Sequence, residues 1–127
     1  LGGNDGLRGL PARELQRNLT RMVALSQAAG ARPVLFEMMI PSNYGPAYTG
    51  QFAESFRTVA EASGAALVPF MLAPFATDPD AFLADGIHPK AASQPAMLNV
   101  VWATLGPLLA ADARPAATAS ADRDGPY

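Results

Sequence analysis

Asp85 and His88 are the residues whose types and spacing most clearly suggest chemistry. A carboxylate three residues before a histidine can fold back and accept the Nδ1 proton of the imidazole, which leaves Nε2 pointing outward as a general base. The alternative is a surface histidine that merely lies beside an acidic residue, and the spacing alone does not separate the two. Gly86 between them, Pro89 after them and the helix predicted next favour the catalytic interpretation.

Asn4 is a second candidate, because it follows two glycines at the start of the sequence. Gly2 and Gly3 would let a substrate approach the backbone closely, and the Asn4 amide could donate a hydrogen bond to a developing oxyanion. Gly-Gly-Asn-Asp is also good turn chemistry, so this segment alone predicts no more than a turn. Its occurrence together with the downstream Asp-x-x-His motif favours a catalytic interpretation.

These two segments together resemble motifs of the SGNH (GDSL-type) hydrolases. That family carries Gly-Asp-Ser near the N-terminus, a glycine in a second block, Gly-x-Asn-Asp in a third and Asp-x-x-His in a fifth. The sequence matches the third block at residues 2–5 and the fifth at residues 85–88, in the same order. The likeness is closer to the bacterial thioesterase, lysophospholipase and arylesterase branch, through residues 1–9, 41–45 and 85–89, and covers about residues 1–110.

The resemblance implies a role for each matching residue. Asn4 would donate to an oxyanion hole, His88 would deprotonate a serine and later protonate the leaving group, and Asp85 would orient His88. The implied reaction is hydrolysis of a carboxylic ester or thioester of a small acyl-chain or aryl substrate through a serine acyl-enzyme, without a cofactor. The implied substrate-binding residues are Gly3, Gly6, Leu7, Asn43 and Tyr44.

The family's nucleophilic serine has no counterpart in this sequence. Its Gly-Asp-Ser block precedes the Gly-x-Asn-Asp block, where this sequence begins, so we expect the nucleophile in a missing N-terminal segment. The serines that are present lie outside any nucleophile motif: Ser26, Ser42, Ser55, Ser63, Ser93 and Ser120. We therefore predict that the 127-residue chain alone is inactive. The alternatives are a non-catalytic truncated remnant and a carbohydrate deacetylase of the same superfamily.

Composition argues against several other functions. Half of the residues are hydrophobic, 16% are charged and the net charge is -2, which is typical of a packed globular protein and unlike one that binds nucleic acid. With no cysteine and one histidine, we expect no metal site. No apolar stretch reaches the roughly 18 residues that a membrane span requires. The compartment is unknown; a signal peptide on the complete protein would make it periplasmic or secreted.

Alternating helix and strand patterns predict the scaffold that positions the candidate residues. A glycine-rich loop comes first, at residues 1–10. Apolar residues at helical spacing then predict helices, and nearly continuous apolar runs predict buried parallel strands. The helices are expected at residues 12–29, 49–63 and 91–109, with a helical turn at 78–83, and the strands at residues 33–40 and 65–70. We predict one α/β domain over residues 1–110 and a disordered tail over residues 111–127.

The resemblance extends this scaffold to a three-layer α/β/α, flavodoxin-like fold with strand order 2-1-3-4-5. The chain would hold only the last two strands, without the N-terminal strands that include the serine-bearing one. An apolar strand without its inner neighbour is an aggregation template, so we expect marginal stability. Phe52, Phe56 and Trp102 are expected in the core, and Glu37 at a strand end facing solvent or, alternatively, as a functional carboxylate.

Overall fold

Two short parallel strands form a two-stranded sheet. The structure is a computed structural model that describes residues 1–112. Strand β1 (Val34–Phe36) pairs with β2 (Ala66–Val68), with Val34 opposite Ala66 and Phe36 opposite Val68. The connection between them contains a helix. Parallel strands need such a crossover, because the chain must return to the end at which the first strand began.

The described residues also form four α-helices, of which the last two contact the strands. They are α1 (Gly3–Leu7), α2 (Ala12–Ala28), α3 (Pro46–Ser63) and α4 (Gln94–Asp112). Short 3-10 turns occur at Ser42–Tyr44, Ala73–Phe75, Pro79–Ala81 and Ala91–Ser93. The predicted alternation of helices and parallel strands is therefore confirmed, and the helix predicted at residues 49–63 begins three residues earlier, at Pro46.

The hydrophobic core lies between α2 and α3. Helix α2 contributes residues four apart, so they share one face, and α3 contributes a matching set. The rings of Phe52 and Phe56 meet edge to face, with their centroids 5.6 Å apart. Burying a side chain of this size stabilises the fold by roughly 1.5–3 kcal/mol. The buried cluster is Leu15, Leu19, Val23, Ile40, Phe52, Phe56 and Val59.

The strands are shorter than predicted. The apolar run at residues 33–40 gives only a three-residue strand, although Glu37 N still donates to Val68 O at 2.9 Å. Pro69 has no N–H, so it cannot continue the ladder on the β2 side. Hydrophobicity alone does not show where pairing stops.

The prediction of a loop at residues 1–10 is wrong, because Gly3–Leu7 forms a helix. Gly6 N donates to Gly2 O at 2.9 Å and Arg8 N to Asn4 O at 3.1 Å. Gly6 lies directly on the core: a Cβ at this position would stand 2.6 Å from Ile40 Cγ2 and 2.7 Å from Phe52 Cε2. Tertiary packing thus overrides the low helix propensity of this glycine.

Helix α4 also differs from expectation. The apolar stripe predicts Trp102 in the core, but this residue is 55% exposed, and Leu98 on the same helix is 59% exposed. The helix contacts β2, yet no layer among residues 1–112 covers these two side chains. It continues to Asp112, past the predicted end of the domain, and Arg32 forms a 3.0 Å ion pair with Asp112. The rest of the predicted tail, residues 113–127, lies outside the described residues.

Glu37 does not face solvent as expected. Its side chain is only 19% exposed, and its Oε1 lies 3.6 Å from the guanidinium of Arg57. Its Oε2 accepts a 3.3 Å hydrogen bond from Phe70 N. Glu37 therefore joins the segments that follow β1 and β2, which is a structural use of the carboxylate.

Candidate active site

Asp85 and His88 are brought together by the loop that carries them. Asp85 Oδ2 lies 2.8 Å from His88 Nδ1. The other oxygen, Oδ1, accepts hydrogen bonds from Ile87 N at 2.8 Å and His88 N at 2.9 Å. Gly86 has a φ of 66°, a conformation that glycine adopts without steric penalty and that turns the chain back toward the carboxylate. The contact predicted from the Asp-x-x-His spacing is confirmed.

A frame of backbone bonds closes this loop at both ends. Leu83 N donates to His88 O at 2.8 Å, and Lys90 N donates to Ala81 O at 2.8 Å. Phe82 and Pro89 form an isolated antiparallel bridge between these bonds. Ser93 Oγ, in a residue only 8% exposed, also donates to Ala81 O, at 2.9 Å. The Asp85–His88 pair is therefore held by residues that are close to it in sequence.

The charge of Asp85 is stabilised by these contacts. The backbone N–H of His88 lowers the pKa of the Asp85 carboxyl most, followed by the His88 ring and the backbone N–H of Ile87, so that it falls from 3.8 to about 2. The carboxylate is ionised at neutral pH and can hold the Nδ1 proton of the ring. The His88 side chain is 72% exposed, which leaves it accessible to a reacting group.

Asn4 lies on α1, in a different part of the chain. Its side chain is exposed and makes no hydrogen bond with residues 1–112. Within these residues, no hydrogen bond joins α1 to the loop at residues 85–88. The structure brings Asp85 to His88, and no hydrogen bond within residues 1–112 joins either of them to Asn4.

Two tyrosines hold the segment that carries Asn4. The Tyr44 hydroxyl donates to Leu7 O at 2.8 Å, which brings together two of the predicted substrate-binding residues. The Tyr48 hydroxyl donates to Leu10 O at 2.7 Å and lies 3.4 Å from Gly6 O. The two rings are 6.3 Å apart. Asn43 lies in the exposed 3-10 turn Ser42–Tyr44.

Sequence reasoning missed the hydrogen bonds by which Tyr48 and Ser93 hold other segments. A tyrosine in the first turn of a helix that begins with proline is a weak signal for Tyr48, since its partners lie 38 and 42 residues away. Ser93 has no nucleophile motif, and its actual role is to anchor the loop of the Asp85–His88 pair. Gly3 is not tightly packed; a Cβ added there would have the Met38 side chain as its nearest neighbour, at 3.6 Å.

No metal-binding cluster and no membrane-spanning helix occur among residues 1–112. No group of three or more His, Cys, Asp or Glu side chains is positioned there to hold a metal ion. None of the helices in this part is both long and apolar enough to cross a membrane. What the arrangement offers is an oriented imidazole and, on a separate element, an exposed amide.

The chain belongs to the GDSL-like Lipase/Acylhydrolase family, whose sequence model matches residues 1–94. The match includes both the segment of Asn4 and the loop of Asp85 and His88. The family that these two motifs predicted is therefore confirmed.

Individual relatives agree with this assignment. The Esterase TesA of Pseudomonas aeruginosa is 46% identical over 109 residues, which are 86% of this chain and 54% of that protein. The Thioesterase 1/protease 1/lysophospholipase L1 of Escherichia coli K12 is 33% identical over 109 residues, 86% of this chain and 52% of that protein. The chain thus spans about half the length of these curated relatives.

A solved structure confirms the fold class. The crystal structure of the psychrotrophic esterase EstA from Pseudoalteromonas sp. superimposes with a TM-score of 0.80 and 39% sequence identity. The similarity covers 87% of this chain and 60% of that one. The predicted α/β fold with a parallel sheet, of the SGNH hydrolase type, is therefore confirmed.

Proposed function

We propose that this chain supplies the histidine, its orienting carboxylate and an oxyanion donor to a serine esterase that hydrolyses small acyl-chain or aryl esters or thioesters. The observation that carries the proposal is the 2.8 Å contact of Asp85 Oδ2 with His88 Nδ1, in a loop whose backbone bonds fix both residues. Membership of the acylhydrolase family supports the reaction class. The names of the relatives, an esterase and a thioesterase/lysophospholipase, support ester and thioester substrates.

The proposed reaction proceeds through an acyl-enzyme. Nε2 of His88 takes the proton of a serine hydroxyl while the serine oxygen bonds to the carbonyl carbon of the substrate. The Asn4 amide donates to the resulting oxyanion. His88 then gives the proton to the leaving alcohol or thiol as the bond to the carbonyl carbon breaks. In the second half, His88 takes a proton from water while the water oxygen bonds to the acyl carbon, and the proton returns to the serine oxygen as the acid leaves. Throughout, Asp85 stabilises the positive charge on the imidazole.

The serine in this scheme comes from outside the 127 residues. The sequence contains no Gly-Asp-Ser motif, and the chain spans about half of its curated relatives. We place the nucleophile in a segment that would precede Leu1 in the complete protein. The 127-residue chain by itself is then inactive.

A chimera tests the proposal directly. The N-terminal part of the Pseudomonas aeruginosa esterase TesA, joined in front of Leu1, should give hydrolysis of p-nitrophenyl esters and of acyl thioesters. His88→Gln in the chimera should remove this activity, and the 127-residue chain alone should show none. Full activity of the His88→Gln chimera would refute the assigned base, and hydrolysis by the isolated chain would refute its predicted inactivity.

A further inference from the structure

Tyr48 connects the first turn of α3 to the segment that carries Asn4. Its hydroxyl donates to Leu10 O at 2.7 Å and lies 3.4 Å from Gly6 O. Its ring is partly buried against the hydrophobic core. The hydroxyl is therefore fixed relative to α3, and the carbonyls of residues 6 and 10 are fixed relative to the hydroxyl.

Helix α1 needs such an external support. It has five residues, and an isolated helix of this length is unstable in water because nucleation is unfavourable. Its backbone bonds, such as Gly6 N to Gly2 O and Leu10 N to Asp5 O, are all local and do not fix its position on the protein. Position is set by the close contact of Gly6 with Phe52 and by the tyrosine hydroxyls.

We propose that Tyr48 is a positioning residue that sets the place of Asn4, and hence of the oxyanion donor, through its hydrogen bond to Leu10 O. The inference rests on the proposed function, in which Asn4 is the oxyanion donor. Tyr44 makes a comparable bond to Leu7 O, but it belongs to the predicted substrate site and can contact substrate itself. Tyr48 is partly buried against the hydrophobic core and acts through the backbone carbonyl of Leu10.

The surroundings keep the Tyr48 hydroxyl a donor. Burial raises the pKa of Tyr48 above its ordinary value of 10.0, and the negative charge of Asp5 and the hydroxyl of Tyr44 raise it further. The phenol therefore stays protonated at neutral pH. The hydrogen bond to Leu10 O persists there, since a carbonyl can only accept.

A double-mutant cycle in the active chimera separates positioning from general stabilisation. Tyr48→Phe keeps the ring and removes only the hydroxyl, and we expect it to lower kcat on the order of 10-fold with KM little changed, because misplacing a catalytic group slows chemistry. Asn4→Ala should lower kcat on the order of 10²-fold. In the Asn4→Ala background, Tyr48→Phe should have almost no further effect, since the donor that it positions is gone.

Ser63→Ala is the matched control for this cycle. Like Tyr48, Ser63 lies in α3 and donates its hydroxyl to a backbone carbonyl. Its acceptor is Val59 O, at the opposite end of the helix. Its effect on kcat should be small and the same with and without Asn4. Equal fold-losses from Tyr48→Phe in the two backgrounds would overturn the inference and leave the proposed function intact, whereas unchanged kcat in Asn4→Ala would overturn the proposed function.

Amide hydrogen exchange gives a readout that needs no activity. In the 127-residue chain, Tyr48→Phe should accelerate exchange at Gly9 and Leu10, whose amides bond to Gly6 O and Asp5 O, and leave α2 unchanged. Unaltered exchange at these amides would also overturn the inference, because it would mean that the segment stays in place without the hydroxyl.

Discussion

Asp85 holds both the ring and the backbone of His88. Oδ2 lies 2.8 Å from Nδ1 of the ring, and Oδ1 accepts a 2.9 Å bond from the backbone N–H of the same residue. The two oxygens of one carboxylate thus fix the imidazole relative to its own main chain. Rotation of the ring away from Asp85 would break one bond and leave the other to hold the loop.

This arrangement predicts that Asp85→Asn separates structure from catalysis. The Asn oxygen can still accept from the backbone N–H groups, so the loop should persist, but the amide cannot stabilise an imidazolium. Loss of the equivalent carboxylate in serine proteases costs about 10⁴ in kcat, and we expect a loss of that order in the chimera. Initial rates with a p-nitrophenyl ester, with circular dichroism as the control for folding, would measure it. A loss below tenfold would contradict the role of Asp85.

Acid should weaken the loop through Asp85. Its pKa is lowered from 3.8 to about 2, so the folded state binds a proton less readily than the unfolded chain. The resulting stabilisation is fully present above pH 3.8 and is lost as the pH falls through about 2. The effect is small because the group is exposed. The acid-induced decrease in Tm over this window should be smaller in Asp85→Asn than in the unmodified chain, and equal decreases would argue against the lowered pKa.

Gly6→Ala should destabilise the chain. The added Cβ would stand 2.7 Å from the ring of Phe52, which is buried and cannot move aside, and overpacking of this kind typically costs about 1–3 kcal/mol. Gly50→Ala is the matched control, because Gly50 lies within α3 with open space around it. That substitution should stabilise by up to about 1 kcal/mol through helix propensity. Urea unfolding of the two variants should shift in opposite directions, and a neutral Gly6→Ala would contradict the packing of α1.

Ser93→Ala should loosen the loop of Asp85 and His88 from the start of α4. It removes the 2.9 Å bond to Ala81 O from a site that is nearly buried, which should cost about 1 kcal/mol in the free energy of unfolding. Ser26→Ala, which removes a bond to Met22 O on the exposed side of α2, should cost less. In the chimera, Ser93→Ala should also lower kcat, and Ser26→Ala should not. Equal effects of the two variants would show that Ser93 does not anchor the loop.

Local interactions could be predicted from the sequence, and distant ones could not. The contact of Asp85 with His88 spans three residues and is set by a turn, so the residue types in this short segment were enough to predict it. Tyr48 bonds Leu10 across 38 residues, and nothing in the sequence spacing shows that its hydroxyl reaches this segment. The apolar spacing of α4 predicts a face that can be buried. It does not predict whether another element covers that face, as the exposed Trp102 shows.

The closed frame around the Asp85–His88 pair has a consequence for how an active centre of this type assembles. Every hydrogen bond that orients the imidazole comes from residues between Ala81 and Ser93. The histidine is therefore oriented before any other part of a catalytic centre docks against it. Docking then carries no conformational-entropy cost for ordering the base, so the incoming segment binds more tightly than it would beside a mobile histidine.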